Sequence, residues 1–174
     1  HGRALIISTG ACAIHCRYCF RRDYPYQDSS CTGKALDETL TYLHEHTEIE
    51  EIILSGGDPL ILDNEKLNSL ISKLEQVKHI QTLRIHTRIA VVLPNRITTG
   101  LLKLLQASRF EVVMVIHANH ANELQDQEQA KLHQLHQSVV NLLNQSVLLK
   151  GINDNHDSLI ALSKRLFQCK TLPY

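Results

Sequence analysis

The 174-residue sequence has no tryptophan, one methionine and four prolines, and it lacks net charge, with 18 basic residues against 18 acidic ones. That balance argues against a protein whose main task is gripping nucleic-acid backbone or an anionic membrane surface. No apolar run approaches the roughly 20 residues that cross a bilayer, and nothing at the start resembles a secretory signal. There is no low-complexity tract and no linker. The length suits one domain with a sizeable core, because chains of this size bury about 70% of their unfolded surface. The five cysteines are an odd number, and three of them are too crowded for a disulfide framework. Metal-binding thiols in a reducing cytoplasm fit better.

What is present alternates. Short β-branched runs at residues 4–8 (ALIIS), 51–54 (EIIL), 82–86 (TLRIH), 112–117 (VVMVIH) and 146–149 (SVLL) read as strands. They look like strands buried on both faces. Between them leucines recur at helical spacing: Leu36, Leu40, Leu43; Leu67, Leu70, Ile71, Leu74; Leu101, Leu104, Leu105; and Leu132, Leu135, Val139, Leu142, Leu143. Asp37 and Asn64 suit an N-cap or a first helical turn. A βα alternation of this kind means an α/β fold with a parallel sheet, either open and doubly wound or a barrel. Residues 20–31 form the one long loop.

Ligands of parallel α/β folds collect at the carboxyl ends of the strands. The residues there are Cys12, Cys16 and Cys19; then SGGDP (Ser55, Gly56, Gly57, Asp58, Pro59); then His86, Thr87 and Arg88; then His117 to His120; and last the stretch 150–154, KGIND. The cysteines stand as Cys-x3-Cys-x2-Cys. A structural zinc site wants four ligands, commonly as two Cys-x2-Cys pairs, and only Cys31, Cys169 or His15 is left to complete one. Three thiolates suit an iron–sulfur cube with one iron left open to a substrate or cofactor. A non-catalytic iron–sulfur or zinc module is the alternative from a different functional class.

Cys12, Cys16, Tyr18 and Cys19 together resemble the radical S-adenosylmethionine (SAM) signature, and SGGD resembles that superfamily's Gly-Gly-acidic motif. The stretches GACAIHCRYCFRR, EIILSGGDPLILDNEKL, LRIHTRIAVVLPNRIT, VVMVIHANHANEL and NQSVLLKGINDN are similar to the lysine 2,3-aminomutase family. CRYCFRR and RIHTR are nearest to the branch whose β-lysine modifies translation elongation factor P (EF-P). Fermentative lysine aminomutases and glutamate aminomutases are the near alternatives.

The resemblance implies a partial (βα)6 barrel, truncated near its last strand, with residues 1–174 as the radical SAM core of a longer enzyme. It implies a [4Fe-4S] cluster on Cys12, Cys16 and Cys19, SAM on its open iron, and pyridoxal 5′-phosphate. It also implies an isomerase acting on L-lysine, with a flavodoxin or ferredoxin as electron donor, in the cytoplasm, with homo-oligomers allowed and neither nucleic acid nor membrane as partner. Tyr18 would lie near adenine, Ser55, Gly56, Gly57 and Asp58 near the methionine end of SAM, and Arg3 near the pyridoxal phosphate. His86 and His117 would line the cofactors. Arg21 would hold the substrate carboxylate in its planar fork; the plain alternative is a solvated loop charge, with Arg22 next in line. The lysine that holds pyridoxal phosphate is expected beyond Tyr174, and Lys150 is not taken for it. Glycines let a chain approach a ligand closely, so Gly57→Val is expected to weaken SAM binding and leave iron content intact. His15 reads as filler, His44, His46, His133 and His136 as helix-surface residues, and Cys31 and Cys169 as isolated thiols.

Overall fold

The computed structural model describes residues 2–24, 33–139 and 141–174; Cys31 and most of the 20–31 loop lie outside them. Six strands, β1 (Arg3–Thr9), β2 (Glu51–Gly56), β3 (Thr82–Thr87), β4 (Glu111–Ile116), β5 (Asn141–Asn144) and β6 (Leu172–Pro173), form one sheet. All neighbours pair in parallel, and the spatial order follows the chain order without reversal. A doubly wound sheet reverses at a switch point. This sheet does not, which is the arrangement of a partial α/β barrel.

The helices are α1 (Lys34–Glu45), α2 (Asn64–Leu74), α3 (Ile89–Val92), α4 (Thr99–Ala107), α5 (Asp126–His136) and α6 (His156–Gln168), with 3-10 turns at Pro59–Ile61, Pro94–Arg96 and Ala121–Glu123. Their starts follow local chemistry. Asp63 caps α2 by accepting from the Lys66 amide at 2.8 Å, and Thr98 caps α4 by accepting from Leu101 at 3.2 Å. Asp37 and Asn64 fall in the first turns of α1 and α2. In α2 the buried positions Leu67, Leu70, Ile71 and Leu74 make one apolar stripe.

Strand register aligns Ile6, Leu54, Ile85, Met114 and Leu142 into a lateral row, every member of it buried. This row and its neighbour (Ile52, Leu83, Val112) carry the core, each large aliphatic side chain contributing about 1.5–3 kcal/mol. On the opposite face the expectation of strands buried on both sides holds for β4, whose Val113 and Val115 are buried, and is corrected for β1 and β3. There Leu5 is 49% exposed, and Arg84, His86 and His117 replace aliphatic residues, because that face lines a cleft.

The fifth strand is also corrected. It is Asn141–Asn144, pairing with Val113 to Ile116, and residues 146–149 are loop. Leu142 and Leu143, read as a helix continuation, belong to it, since α5 ends at His136. Two asparagines decide the matter. Asn144 accepts from the Ala118 amide (2.8 Å) and donates to its carbonyl (3.0 Å), and Asn153 donates to the carbonyls of Asn119 and Val147. The loop backbone is thereby satisfied without a ladder, and Leu148 is left 69% exposed. Helix α6 and strand β6 escaped the sequence reading, although Asn155 caps α6 and Leu162 and Leu166 face the core. Among the described residues no helix is long and apolar enough to cross a membrane.

Candidate functional site

A cleft of about 380 Å³ opens where the strands end. Its wall takes in Cys12, Cys16, Tyr18, Cys19 and Arg21 from the segment after β1; Ser55, Gly56, Gly57 and Asp58 from the end of β2 and just past it; His86 from β3 and Arg88 just past it; and His117 just past β4. Of the residues that the family resemblance assigns to cluster, cofactors or substrate, Arg3 is absent from that wall. It stands at the opposite end of β1, 56% exposed, and meets Glu51 at 3.4 Å. Lys150 is exposed and does not line the cleft.

The SGGDP turn is built against the cysteine segment. Gly57 donates to the Thr9 carbonyl at 2.7 Å, and Asp58 donates its amide to the Ala11 carbonyl at 2.8 Å. A Cβ on Gly57 would stand 2.2 Å from the Ala11 carbonyl oxygen; at Gly56, φ is +112° and a Cβ would meet the Thr9 oxygen at 2.7 Å. The glycines therefore admit the backbone that carries Cys12. The Asp58 carboxylate, 6% exposed, accepts from Leu60 N (3.1 Å), Thr87 Oγ1 (2.7 Å), Arg88 N (2.7 Å) and Ile89 N (3.1 Å). It thus fastens the end of β2 to the start of α3. Burial pushes its pKa up, against the pull of those four donors.

Arg21 turns inward. Its guanidinium donates to Ser55 Oγ at 2.7 Å and to the Gly56 carbonyl at 3.4 Å, and it lies 4.7 Å from the Phe20 ring centroid. Arg22 turns outward and donates to the Arg17 carbonyl. The two adjacent arginines are thus separated by geometry, and only Arg21 can meet a ligand in the cleft.

Arg88 was placed on the rim by the sequence but given no role, and Glu123 was not singled out. Arg88 donates to the Tyr18 hydroxyl (2.5 Å), to the His117 carbonyl (2.9 Å) and to Glu123 (2.6 Å). Asn119 also donates to Tyr18, at 2.9 Å. The signal available was only position, Arg88 standing one residue past the third strand.

His86 and His117 face each other across 5.7 Å between ring centroids, with Tyr174 6.2 Å from His86. Burial lowers both imidazoles to about 4; the nearby Arg84 and Arg21 charges add to this at His86, and His86 and Arg88 do so at His117. Both are neutral at pH 7 and can accept as well as donate.

The donor set fits an iron–sulfur cluster. Three thiols share one wall, and Cys12 is raised by burial first and then by the charges of Asp58, Cys19 and Cys16. Thiolates that repel one another are what a bound cationic cluster relieves. Among the described residues no three His, Cys, Asp or Glu side chains surround a point suited to a single metal ion. The lining residues include no lysine, so the described chain does not itself provide a covalent hold for pyridoxal phosphate. Cys169 is buried, raised to about 11 and remote from the cleft.

Fold and site define the class: an α/β protein with a cysteine-lined cofactor cleft at its strand ends. Residues 1–140 match the family described as "4Fe-4S single cluster domain", and the chain belongs to it. Its relatives carry a more particular name. It is 48% identical over 173 residues to an L-lysine 2,3-aminomutase of Haemophilus influenzae, covering 99% of this chain and 51% of that protein. It is 42% identical over 174 residues to that of Escherichia coli, covering 100% and 51%. With the one of Clostridium subterminale it shares 35% over 173 residues, covering 99% and 41%. The chain thus spans about half the length of the curated relatives it matches.

Proposed function

We propose that residues 1–174 are the radical SAM core, a partial (βα)6 barrel, of an aminomutase that converts L-lysine to β-lysine by 1,2-amino migration. The observation that carries this reading is the convergence of Cys12, Cys16, Cys19, the SGGDP turn and Arg21 on one cleft. The names of the relatives support it. A [4Fe-4S] cluster with SAM supplies hydrogen-abstracting chemistry once reduced by a flavodoxin or ferredoxin, and pyridoxal phosphate, whose lysine we place outside residues 1–174, supplies electron delocalisation for the shift.

The residues of this chain bind and orient. Cys12, Cys16 and Cys19 hold the cluster. Ser55, Gly56 and Gly57 offer backbone and hydroxyl groups to the methionine end of SAM, while Asp58 holds that turn rigid from behind. The Tyr18 ring flanks the adenine, and His86 and His117 accept or donate as neutral imidazoles along the same wall. Arg21, already aimed by Ser55, presents its fork to the carboxylate of the amino acid. Arg3 serves a phosphate only after leaving Glu51. Delivery of β-lysine to EF-P is the physiological use we favour.

The test is to reconstitute the intact gene product anaerobically, add SAM, pyridoxal phosphate and dithionite, and offer L-lysine or L-glutamate. The expected products are 5′-deoxyadenosine and β-lysine. Formation of β-glutamate instead would move the substrate assignment, and absence of SAM cleavage would refute the reading.

A further inference from the structure

The cysteine segment has few side-chain ties to the sheet, and the Tyr18 hydroxyl makes the longest-ranging ones. Its two partners, Arg88 and Asn119, are 70 and 101 residues away in the chain. Arg88 is itself locked by the His117 carbonyl and by Glu123. Glu123 in turn uses its other oxygen to accept from the amides of Asn119 (2.7 Å) and His120 (3.0 Å). The far end of the chain of contacts is therefore backbone. A planar guanidinium meets three acceptors at once, which a lysine ammonium on its flexible stem does not.

We propose that Arg88 is a positioning residue for the cysteine segment: it fixes the Tyr18 hydroxyl and thereby the Cys16 and Cys19 thiols on either side, setting the geometry and reduction potential of the cluster they hold. This rests on the cluster reading given above. With both acceptor sites of the hydroxyl filled by Arg88 and Asn119, its proton is free to be donated. A hydrogen bond donated toward cluster sulfurs makes reduction easier.

The experiment uses the intact gene product, reconstituted with iron and sulfide, as parent, Tyr18→Phe, Arg88→Met and Arg88→Met/Glu123→Gln. Two quantities are read: the potential of the cluster by redox titration, and hydrogen exchange of peptides covering residues 10–24, with β2 and α2 as internal reference. Tyr18→Phe and Arg88→Met should each lower the potential and speed exchange in 10–24 by about fivefold, the equivalent of one hydrogen bond. The reference peptides should not change. The double variant removes both charges and should recover neither property. Parent-like potential and exchange in Tyr18→Phe would overturn the proposal. Recovery in the double variant would overturn it too, since Arg88 would then merely neutralise Glu123. A parent that takes up no cluster would overturn the cluster reading instead, and exchange, which needs no iron, would judge the clamp alone.

Discussion

Gly57→Ala adds one methyl group at the tightest point between the SGGDP turn and the cysteine segment. The new carbon would stand 2.2 Å from the Ala11 oxygen, 2.7 Å from the Ala11 carbonyl carbon and 2.8 Å from the Gly10 carbonyl carbon. All three are backbone atoms, so no side-chain rotation relieves the contact. Reaching an ordinary separation requires the loop to retreat by roughly 1 Å, which breaks or stretches the bonds from Gly57 to Thr9 and from Asp58 to Ala11. Overpacking costs about 1–3 kcal/mol and each of the two bonds about 0.5–1.5 kcal/mol, giving a loss of about 2–6 kcal/mol. A domain of ordinary stability survives that, with Cys12 displaced. Urea melts and iron analysis after anaerobic reconstitution should therefore fall together. Gly151→Ala is the control: its φ is +75° with nothing within 4 Å of the added carbon, so it should cost about 1 kcal/mol and keep its iron. If Gly57→Ala keeps parental stability and iron and loses only SAM affinity, the packing argument is wrong and the glycine faces a ligand.

Three further outcomes follow from the site. Cys16→Ala should abolish iron uptake while Cys169→Ala retains it, iron content after reconstitution being the readout. Arg21→Lys keeps the charge but loses the fork, so β-lysine formation should drop by about tenfold or more, in line with about 1.5–3 kcal/mol for one charge-assisted hydrogen bond; 5′-deoxyadenosine formed with dithionite should persist. His86 and His117 have folded values near 4 against an ordinary 6.5, so the unfolded chain binds more protons between those values. Stability is then full above pH 6.5 and lost as pH falls toward 4, by about 1–2 kcal/mol for each ring with the open cleft screening part of it. Melts of His86→Asn across that range should show a flatter dependence; an unchanged slope would remove His86 as a source.

Strands β1 to β4 were legible because each is a compact β-branched run between polar or glycine boundaries. The fifth was not, since NLLNQSVLL holds two apolar runs and the choice between them lies in the side chains of Asn144 and Asn153, which meet residues 26 and 34 positions away. The cysteine cluster could be read from local spacing, and Arg21 was reached through the family resemblance. The direction in which Gly57 is crowded could not, because it depends on where Ala11 sits. The role of Arg88, and Glu123 altogether, were hidden for a related reason. A buried arginine differs from a surface one only through partners, and these are 29, 35 and 70 residues distant.

The ties of the cysteine segment reach the ends of three different strands: β2 through Gly57, Asp58 and Ser55, β3 through Arg88, and β4 through Asn119. Contacts of such sequence separation form late, because loop closure must precede them. The three thiols therefore acquire their mutual arrangement only after β1 to β4 have assembled. Maturation has an order built into it: an iron–sulfur donor meets a finished scaffold, and a chain arrested before β4 docks offers it thiols without a site.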